Sequence, residues 1–345
     1  MQKLSKKHII MIIVIIATII FITVITSVIS DSLKRKNAPG EYVKEKELTH
    51  FEIPKGITEI ANEEFYGCHT LKSVTIPDTV TRIGNRAFCG TSLESVTIPN
   101  SVKIIGHEAF AHTNLESIVI PSSVSELDGS NNVFDDIAKG AFLYCEKLKS
   151  VTLNEGLEYI GAGTFRGCKN LTSITIPSSV RMIEDQAFFY CEKLRTVNFK
   201  PNSKLEQLCS EAFQGTSISQ ISLPERLRSI GESCFYGCKN LVKVEYGNNL
   251  WTIGNYAFSY CTSLSEFTIK SCVTEFGYST FLSCENLEKV TVQNPNGWIF
   301  VEVNKYGERK EIKLNLDNIE ANARNFKKAK TSSTSKSATY EYNPE

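Results

Sequence analysis

The sequence predicts a repeat solenoid of short β-strands and short helical turns, ten full units and a half unit long, preceded by an N-terminal transmembrane helix. Three observations carry that reading. An apolar frame returns about every 23 residues, a phenylalanine sits at a fixed place in each return, and one long uncharged stretch lies near the N-terminus.

The frame is plainest in Leu71-Lys-Ser-Val74-Thr-Ile76-Pro77, followed by Val80, Ile83-Gly84 and Ala87-Phe88. It returns at Leu93…Val96-Thr-Ile98-Pro99 and again at Leu171…Ile174-Thr-Ile176-Pro177. The leading positions are Leu48, Leu71, Leu93, Leu115, Leu148, Leu171, Leu194, Ile218, Leu241, Leu264 and Leu287, spaced 23, 22, 22, 33, 23, 23, 24, 23, 23 and 23 residues apart. Phe65, Phe88, Phe110, Phe142, Phe165, Phe188, Phe213, Phe235, Phe258 and Phe281 mark the other end of each unit. A Leu-led period of about 20–29 residues belongs to the leucine-rich-repeat class.

Taken from the N-terminus, residues 1–8 form a basic flank with Lys3, Lys6 and Lys7. Residues 9–29, Ile9 to Ile29, carry no charge. As a helix of about 1.5 Å rise per residue they span roughly 31 Å, the thickness of a bilayer's hydrocarbon core. An uncleaved signal anchor is the favoured reading, because the run exceeds the roughly 7–15 apolar residues of a signal peptide. A cleavable signal peptide is the alternative, with Val28-Ile29-Ser30 offering a cleavage site, and would make the protein secreted. The adopted topology is single-pass with the N-terminus inside and the repeats outside. Lys34-Arg35-Lys36 nearly balances the basic charge on the other flank, so the charge bias by itself is small. Residues 30–47, charged and containing Pro39-Gly40, read as a stalk.

The solenoid is expected over residues 48–292. In Leu-x-x-Val-x-Ile, Val and Ile are two apart and face the same side of an extended strand, while Ser73 and Thr75 face out. Pro77 stops the strand because it has no amide hydrogen. Val80 and Ile83 form a second short apolar edge, Gly84 is expected to permit a tight bend, and Ala87-Phe88 inserts into the core from a short helical turn. One unit cannot bury these side chains alone; stacked units cover one another.

Seven of the 11 cysteines (Cys68, Cys145, Cys168, Cys191, Cys238, Cys261 and Cys284) stand three residues after the repeat phenylalanine. Thr91, Thr113 and Thr216 hold that place in the other units, where the distance from phenylalanine to the next Leu or Ile is five rather than six. A place that accepts Cys or Thr and tracks loop length reads as a small packing position, a buried structural ladder. Disulfides are disfavoured because equivalent side chains of stacked coils run parallel. No close Cys-x-x-Cys pair supplies a zinc site. Cys89, Cys209, Cys234 and Cys272 lie off the ladder and receive no role.

The unit that starts at Leu115 is ten residues too long, with its insertion placed at about 126–136. Asp128, Asn131, Asp135 and Asp136 are weak candidates for a hard cation, but they lack the alternating spacing of a calcium loop, and a solvated loop is the main reading. Along the strands the outward positions form two polar columns, Ser73, Ser95, Ser117, Ser150, Ser173, Thr196 and Thr75, Thr97, Val119, Thr152, Thr175. Threonine suits an exposed strand for conformational reasons alone. The candidate binding face taken from these columns is Ser73, Thr75, Ser95, Thr97, Ser150, Thr152, Ser173 and Thr175, a hydroxyl surface able to hydrogen-bond a peptide or glycan. Beyond Asn198 the columns become mixed and charged, with Lys243, Glu245, Glu266 and Lys289, which restricts that surface to the N-terminal half.

Residues 293–330 read as a C-terminal cap that shields the last coil. Trp298–Val303 and Glu311–Leu316 are expected to form a hairpin, and Asp317 to about Lys330 a helix. Residues 331–345, Ser/Thr-rich at their start, are expected to be a mobile tail.

Lys plus Arg (38) balances Asp plus Glu (38), which removes nucleic acid as an expected partner. No nucleophile motif, phosphate-binding glycine loop or cofactor motif is present, and His69, His107 and His112 read as packing or surface residues. The expected chemistry is therefore binding, not catalysis, with no cofactor and no metal.

The consensus Leu-x-x-Val-Thr-Ile-Pro-x-x-Val-x-x-Ile-Gly-x-x-Ala-Phe-x-x-Cys resembles the BspA-like class of leucine-rich repeats over about Leu48 to Val292. That resemblance implies a surface-exposed or secreted protein whose role, where one is known in the family, is adhesion to matrix proteins or to other cells. It implies no catalytic residue. The expected function is a membrane-anchored extracellular protein that binds a protein or glycan ligand. A structural envelope spacer and a cytoplasm-facing interaction scaffold are the alternatives; free cysteines persist better in reducing surroundings, which favours the second.

Overall fold

A computed structural model describes residues 43–44, 47–127, 140–277 and 279–293, together with the backbone strands Trp298–Val303, Arg309–Lys313 and Ala338–Tyr342. The repeats wind as a parallel β-solenoid in which each full coil supplies a first strand of two to four residues, the longer strand in all coils but the one with Ser95–Val96, and a second, shorter strand of two. Neighbouring coils pair in register at the repeat spacing, as in Ser73↔Ser95 and Ile174↔Val197 on the longer strands.

The longer strands alternate as their sequence requires. Ser117–Ile120, Ser150–Leu153 and Ser173–Ile176 each run exposed, buried, exposed, buried. Their ladder is interrupted, however: it is continuous from His50–Glu52 through Ser95–Val96 and then runs only in pairs. The shorter strands, such as Arg82–Ile83 and Ile104–Ile105, keep four coils in register before the insertion and six after it.

A third intercoil edge runs through the turns. The backbone N–H groups of Glu63, Phe65 and Gly67 donate to the carbonyls of Asn85, Ala87 and Cys89 at 2.8, 2.8 and 2.9 Å. Two residues in a left-handed conformation flank every repeat phenylalanine except Phe142, which has Tyr144 alone, as at Glu63 (φ 59°) and Gly67 (φ 66°) or Gln186 (φ 58°) and Tyr190 (φ 52°). The phenylalanine thus comes from linked i→i+3 turns, seen in Cys68 N–H to the Phe65 carbonyl at 3.1 Å, and not from a helical segment.

The ten phenylalanines are all buried and form one column. Successive rings from Phe65 to Phe258 stack with centroids 5.1–5.6 Å apart. All ten residues of the Cys/Thr ladder are buried beside it. Each later thiol donates to the phenylalanine carbonyl of the preceding coil, for example Cys191 Sγ to the Phe165 carbonyl at 3.1 Å and Cys284 Sγ to the Phe258 carbonyl at 3.0 Å. The threonines turn back within their own coil, Thr91 Oγ1 to Phe88 and Thr216 Oγ1 to Phe213, both at 2.9 Å. The shorter five-residue loop leaves the hydroxyl over its own carbonyl, so the Cys/Thr choice follows loop length. All 11 cysteines are free thiols. Cys234 occupies the alanine place of its coil and is buried; Cys89 packs with Ala111 and Leu143 in a small satellite cluster.

Three expectations require correction. Gly84 does not make the bend: the left-handed residue is Arg86 (φ 55°), two places later. Gly84 is needed because an added Cβ would lie 2.7 Å from the Asn62 backbone nitrogen of the preceding coil. Second, Glu126 and Leu127 are not part of the insertion. They form a regular short strand paired with Ile104 and Ile105, so the insertion begins after Leu127. Third, the span 331–345 is not wholly a mobile tail. Ala338–Tyr342 is a strand that pairs antiparallel with Glu275–Phe276 of the last coils on one side and with Trp298–Val303 on the other. Alternating Thr339, Tyr340 and Tyr342 favour an extended chain, and the open edge of the short-strand sheet supplies the hydrogen-bonding partner that composition alone does not reveal.

The expected hairpin exists as Trp298–Val303 with Arg309–Lys313, the second strand earlier than predicted. The span 9–29 and the helix expected over 317–330 lie outside the described residues. Among the described residues no helix is long and apolar enough to cross a membrane.

Candidate ligand-binding face

Parallel pairing at constant register carries each outward residue onto its counterpart in the next coil, about 4.8 Å away. The structure therefore assembles the predicted columns into one surface. Thr75, Ser95, Thr97, Ser150, Thr152, Ser173 and Thr175 are exposed on it, with Ser73 half-buried. Val119 interrupts the second column and is 54% exposed. Their β-branched or small side chains leave the backbone ladder intact beneath while presenting hydroxyls to solvent.

Part of this surface is concave. A hollow of about 900 Å³ has the hydroxyls of Ser73, Thr75, Ser95, Thr97 and Ser117 set among the apolar Ile76, Val96, Ile98, Pro99, Ile118, Val119 and Pro121, with His50, Asn100 and Asn154 also lining it. It lies where the longer-strand ladder lapses between Ser95–Val96 and Ser117–Ile120. Among the described residues no Asp, Glu, Lys or Arg side chain lines it. His50 Nδ1 is 2.8 Å from Ser73 Oγ, which fixes the ring at the first coil's edge. Ser150, Thr152, Ser173 and Thr175 continue the face beyond this hollow and are not part of it.

A second hollow of about 510 Å³ was not anticipated. It is lined by Arg195, Thr196, Asn198, Gln220, Ser222 and the Lys243–Glu245 pair, in the half of the solenoid where the columns become mixed. It coincides with another lapse of the ladder, between Thr196–Phe199 and Gln220–Ser222. Lys243 Nζ sits 2.6 Å from Glu245 Oε1, and Ser222 Oγ donates to Glu245 Oε2 at 2.9 Å. The Lys243 and Ser222 hydrogen bonds hold the Glu245 carboxyl below its ordinary pKa. His50, Asn100 and Asn154 were missed because they belong to loops or to the first coil, outside the columns that periodicity displays.

The remaining sequence candidates do not join a site. Asp128, Asn131, Asp135 and Asp136 lie outside the described residues. Among the described residues no cluster of three His, Cys, Asp or Glu side chains is arranged to hold a metal. The ladder thiols are sealed: burial pushes Cys145 and Cys238 up to about 11 and Cys168 and Cys261 well above the ordinary thiol value. Such thiols are poor nucleophiles and poor metal ligands. His112 packs its ring against Tyr144, at 5.2 Å between centroids.

The model of the BspA type leucine-rich repeat region matches the chain in six copies over residues 40–136, 130–221 and 206–331. The chain belongs to the BspA-type leucine-rich repeat family. Proteins of this repeat class are typically non-catalytic. None of the curated proteins matches the sequence. Among solved structures, a leucine-rich repeat protein from Bacteroides ovatus is similar at 27% identity and a TM-score of 0.52, covering 72% of this chain and 74% of that one. The pneumococcal vaccine antigen PcpA is similar in fold, at 22% identity and a TM-score of 0.50 over 72% and 73% of the two chains. A leucine-rich cell surface protein from Faecalibacterium prausnitzii aligns at 24% identity and a TM-score of 0.40, over 71% and 81%. The BspA-type repeat accounts for the phenylalanine column and the Cys/Thr ladder in this chain, and its Val-Thr-Ile segment supplies Val74, Thr75, Ile76, Val96, Thr97 and Ile98 to the larger hollow.

Proposed function

We propose that this BspA-type protein is a non-catalytic binding protein, anchored through Ile9–Ile29 with its repeats outside the cell, that engages a protein or glycan ligand along the longer-strand face. The observation that carries the reading is the hydroxyl-lined hollow of about 900 Å³, within the size range of ligand sites and almost free of charge. The uncharged run Ile9 to Ile29 supports the anchor, and family membership supports a surface role in adhesion. Interior residues do not contribute to that role, because they are consumed by packing.

A second reading has one observation in its favour. Eleven free thiols are more usual in a reducing compartment, which favours a cytoplasm-facing scaffold. Their burial answers this in part, because a sealed thiol resists oxidation wherever it resides. Protease shaving of intact cells, with a cytosolic protein as leakage control, separates the two. Solenoid peptides in the shaved fraction support the surface reading. Their appearance only after lysis, with purified protein cut under the same conditions, refutes it. Capture of matrix proteins and glycans by the full chain, compared with a Ser95→Lys/Ser117→Lys variant, then tests the face: binding that survives both lysines is not made there.

A further inference from the structure

We infer that the hollow around Arg195 is a second ligand subsite, and that it takes the carboxylate of an acidic saccharide. The inference rests on the reading of the longer-strand face as the binding face. Its starting point is a break in a regular pattern of charge.

Arg195 occupies the position directly after the leading Leu of its coil. Other basic residues in that column are paired with an acid one coil away: Lys72 with Glu94 at 3.4 Å, and Lys149 with Glu116 at 3.0 Å. Arg195 stands between Thr172 and Ser219 in the same column, and neither can neutralise it. Among the described residues its guanidinium has no ion pair. The nearby Lys243 does not share that freedom, because Glu245 engages it at 2.6 Å. The hollow thus presents one unpaired, permanently charged planar donor beside an internally neutralised pair.

Apart from the Lys243–Glu245 pair, the polar groups that line the hollow with Arg195 are uncharged. Thr196 and Asn198 come from its own strand, Gln220 and Ser222 from the next. All four are exposed, and their outward direction is set by the same alternation that buries Val197 and Ile221. A guanidinium binds a carboxylate through two parallel N–H···O bonds. Hydroxyl and amide side chains spaced about 4.8 Å across the strands offer donors and acceptors to ring hydroxyls. A peptide anchored at such a site relies instead on aromatic or aliphatic pockets, and the apolar side chains beneath this hollow, Val197 and Ile221, are buried. Charge and lining together therefore select a carboxylated sugar over an acidic peptide.

The hollow spans the lapse in the longer-strand ladder between Thr196–Phe199 and Gln220–Ser222. The neutral hollow lies at an equivalent lapse four coils earlier, roughly 19 Å along the stack at about 4.8 Å per coil. A ligand that reaches both would meet hydroxyls first and a cation at the far end.

The test uses the full chain in mild detergent, titrated with uronate and sialylated oligosaccharides, their carboxyl methyl esters, and an oligoglutamate peptide. Binding of at least one carboxylated saccharide is expected, weakened tenfold or more by esterification. Arg195→Gln, at an exposed site and so expected to leave the melting transition unchanged, is expected to lower that affinity tenfold or more, and Arg195→Lys to restore only part of it. Equal binding of acid and ester, unchanged binding by Arg195→Gln, preferential binding of oligoglutamate, or no binding of any carboxylated saccharide overturns the proposal. The Ser95→Lys/Ser117→Lys variant reports on the neutral hollow separately. Loss of other ligands in that variant with Arg195-dependent saccharide binding intact, or the converse, shows which of the two readings has failed.

Discussion

Replacing Phe165 by alanine tests whether the stacked column is what couples the coils. Phe165 is fully buried between Phe142 and Phe188, with ring centroids 5.6 and 5.4 Å away and interplanar angles of 9° and 19°. Removing a buried phenylalanine costs about 3–5 kcal/mol from lost transfer energy and the cavity that remains. The site cannot collapse easily, because both neighbouring rings are held by their own coils' backbone hydrogen bonds, so the upper part of that range applies. Stability in a stacked array is a sum over neighbouring interfaces, and Phe165 belongs to two. Phe65 has a repeat phenylalanine on one side only, with Phe51 tilted at 55° on the other. Phe65→Ala is therefore expected to cost less, about 3 kcal/mol, and to loosen mainly the first coil. Urea unfolding of the full chain in mild detergent, followed by circular dichroism, measures the totals. Hydrogen exchange resolved by peptide locates the damage. A loss under about 1 kcal/mol for Phe165→Ala, or exchange rising uniformly from residue 47 to residue 293, would refute the coupling argument.

Three other outcomes follow from particular contacts. Gly84→Ala places a methyl 2.7 Å from the Asn62 nitrogen and should cost about 1–3 kcal/mol, whereas Gly237→Ala, with open space around it but φ +69°, should cost only about 1 kcal/mol; equal melting shifts in the two variants would contradict the close-approach account. Glu155 accepts hydrogen bonds from Lys200 Nζ, Ser178 N, Ser178 Oγ and Ser179 N at 3.0–3.2 Å. Desolvation raises its pKa, but the bonds from Lys200, Ser178 and Ser179 outweigh it and bring the carboxyl to about 2 from 4.5. A depressed folded-state pKa stabilises above the unfolded value and loses that effect as pH falls from about 4.5 toward 2. With 45% of the side chain exposed, solvent screening reduces the contribution to about 1 kcal/mol, so Glu155→Gln should lose that much at pH 7, with the gap to the parent narrowing below pH 4.5; a gap that is constant with pH counts against the staple. Finally, the sealed ladder predicts that a thiol reagent at pH 8 labels the native chain slowly at Cys68, Cys145, Cys168, Cys191, Cys238, Cys261 and Cys284, and all 11 cysteines rapidly in urea; fast native labelling at Cys168 or Cys191 would show that the core opens.

The sequence by itself determined the repeat, its core and its outward columns, because a one-dimensional stack repeats every physical demand once per coil. Phe88, Val80, Ile83 and the Cys/Thr place recur for that reason, and their burial could be stated from spacing alone. What only the tertiary structure decided depends on neighbours rather than on periodicity. The left-handed residues flanking the phenylalanines are more often residues such as Glu63, Gln186, Tyr190 or Ser233 than glycine, so no residue type announces them. They are imposed by the need to aim alternate N–H groups at the next coil. Gly84 announces itself as a glycine, but whether it turns the chain or admits a neighbouring backbone is settled by the 2.7 Å approach of Asn62. Ala338–Tyr342 becomes a strand because Glu275–Phe276 leaves an edge to be paired, a partner more than sixty residues away in sequence. The two hollows each span a lapse in the strand ladder, and Arg195 has no ion pair among the described residues because Thr172 and Ser219 stand one coil before and after it, which only the stacked molecule brings together.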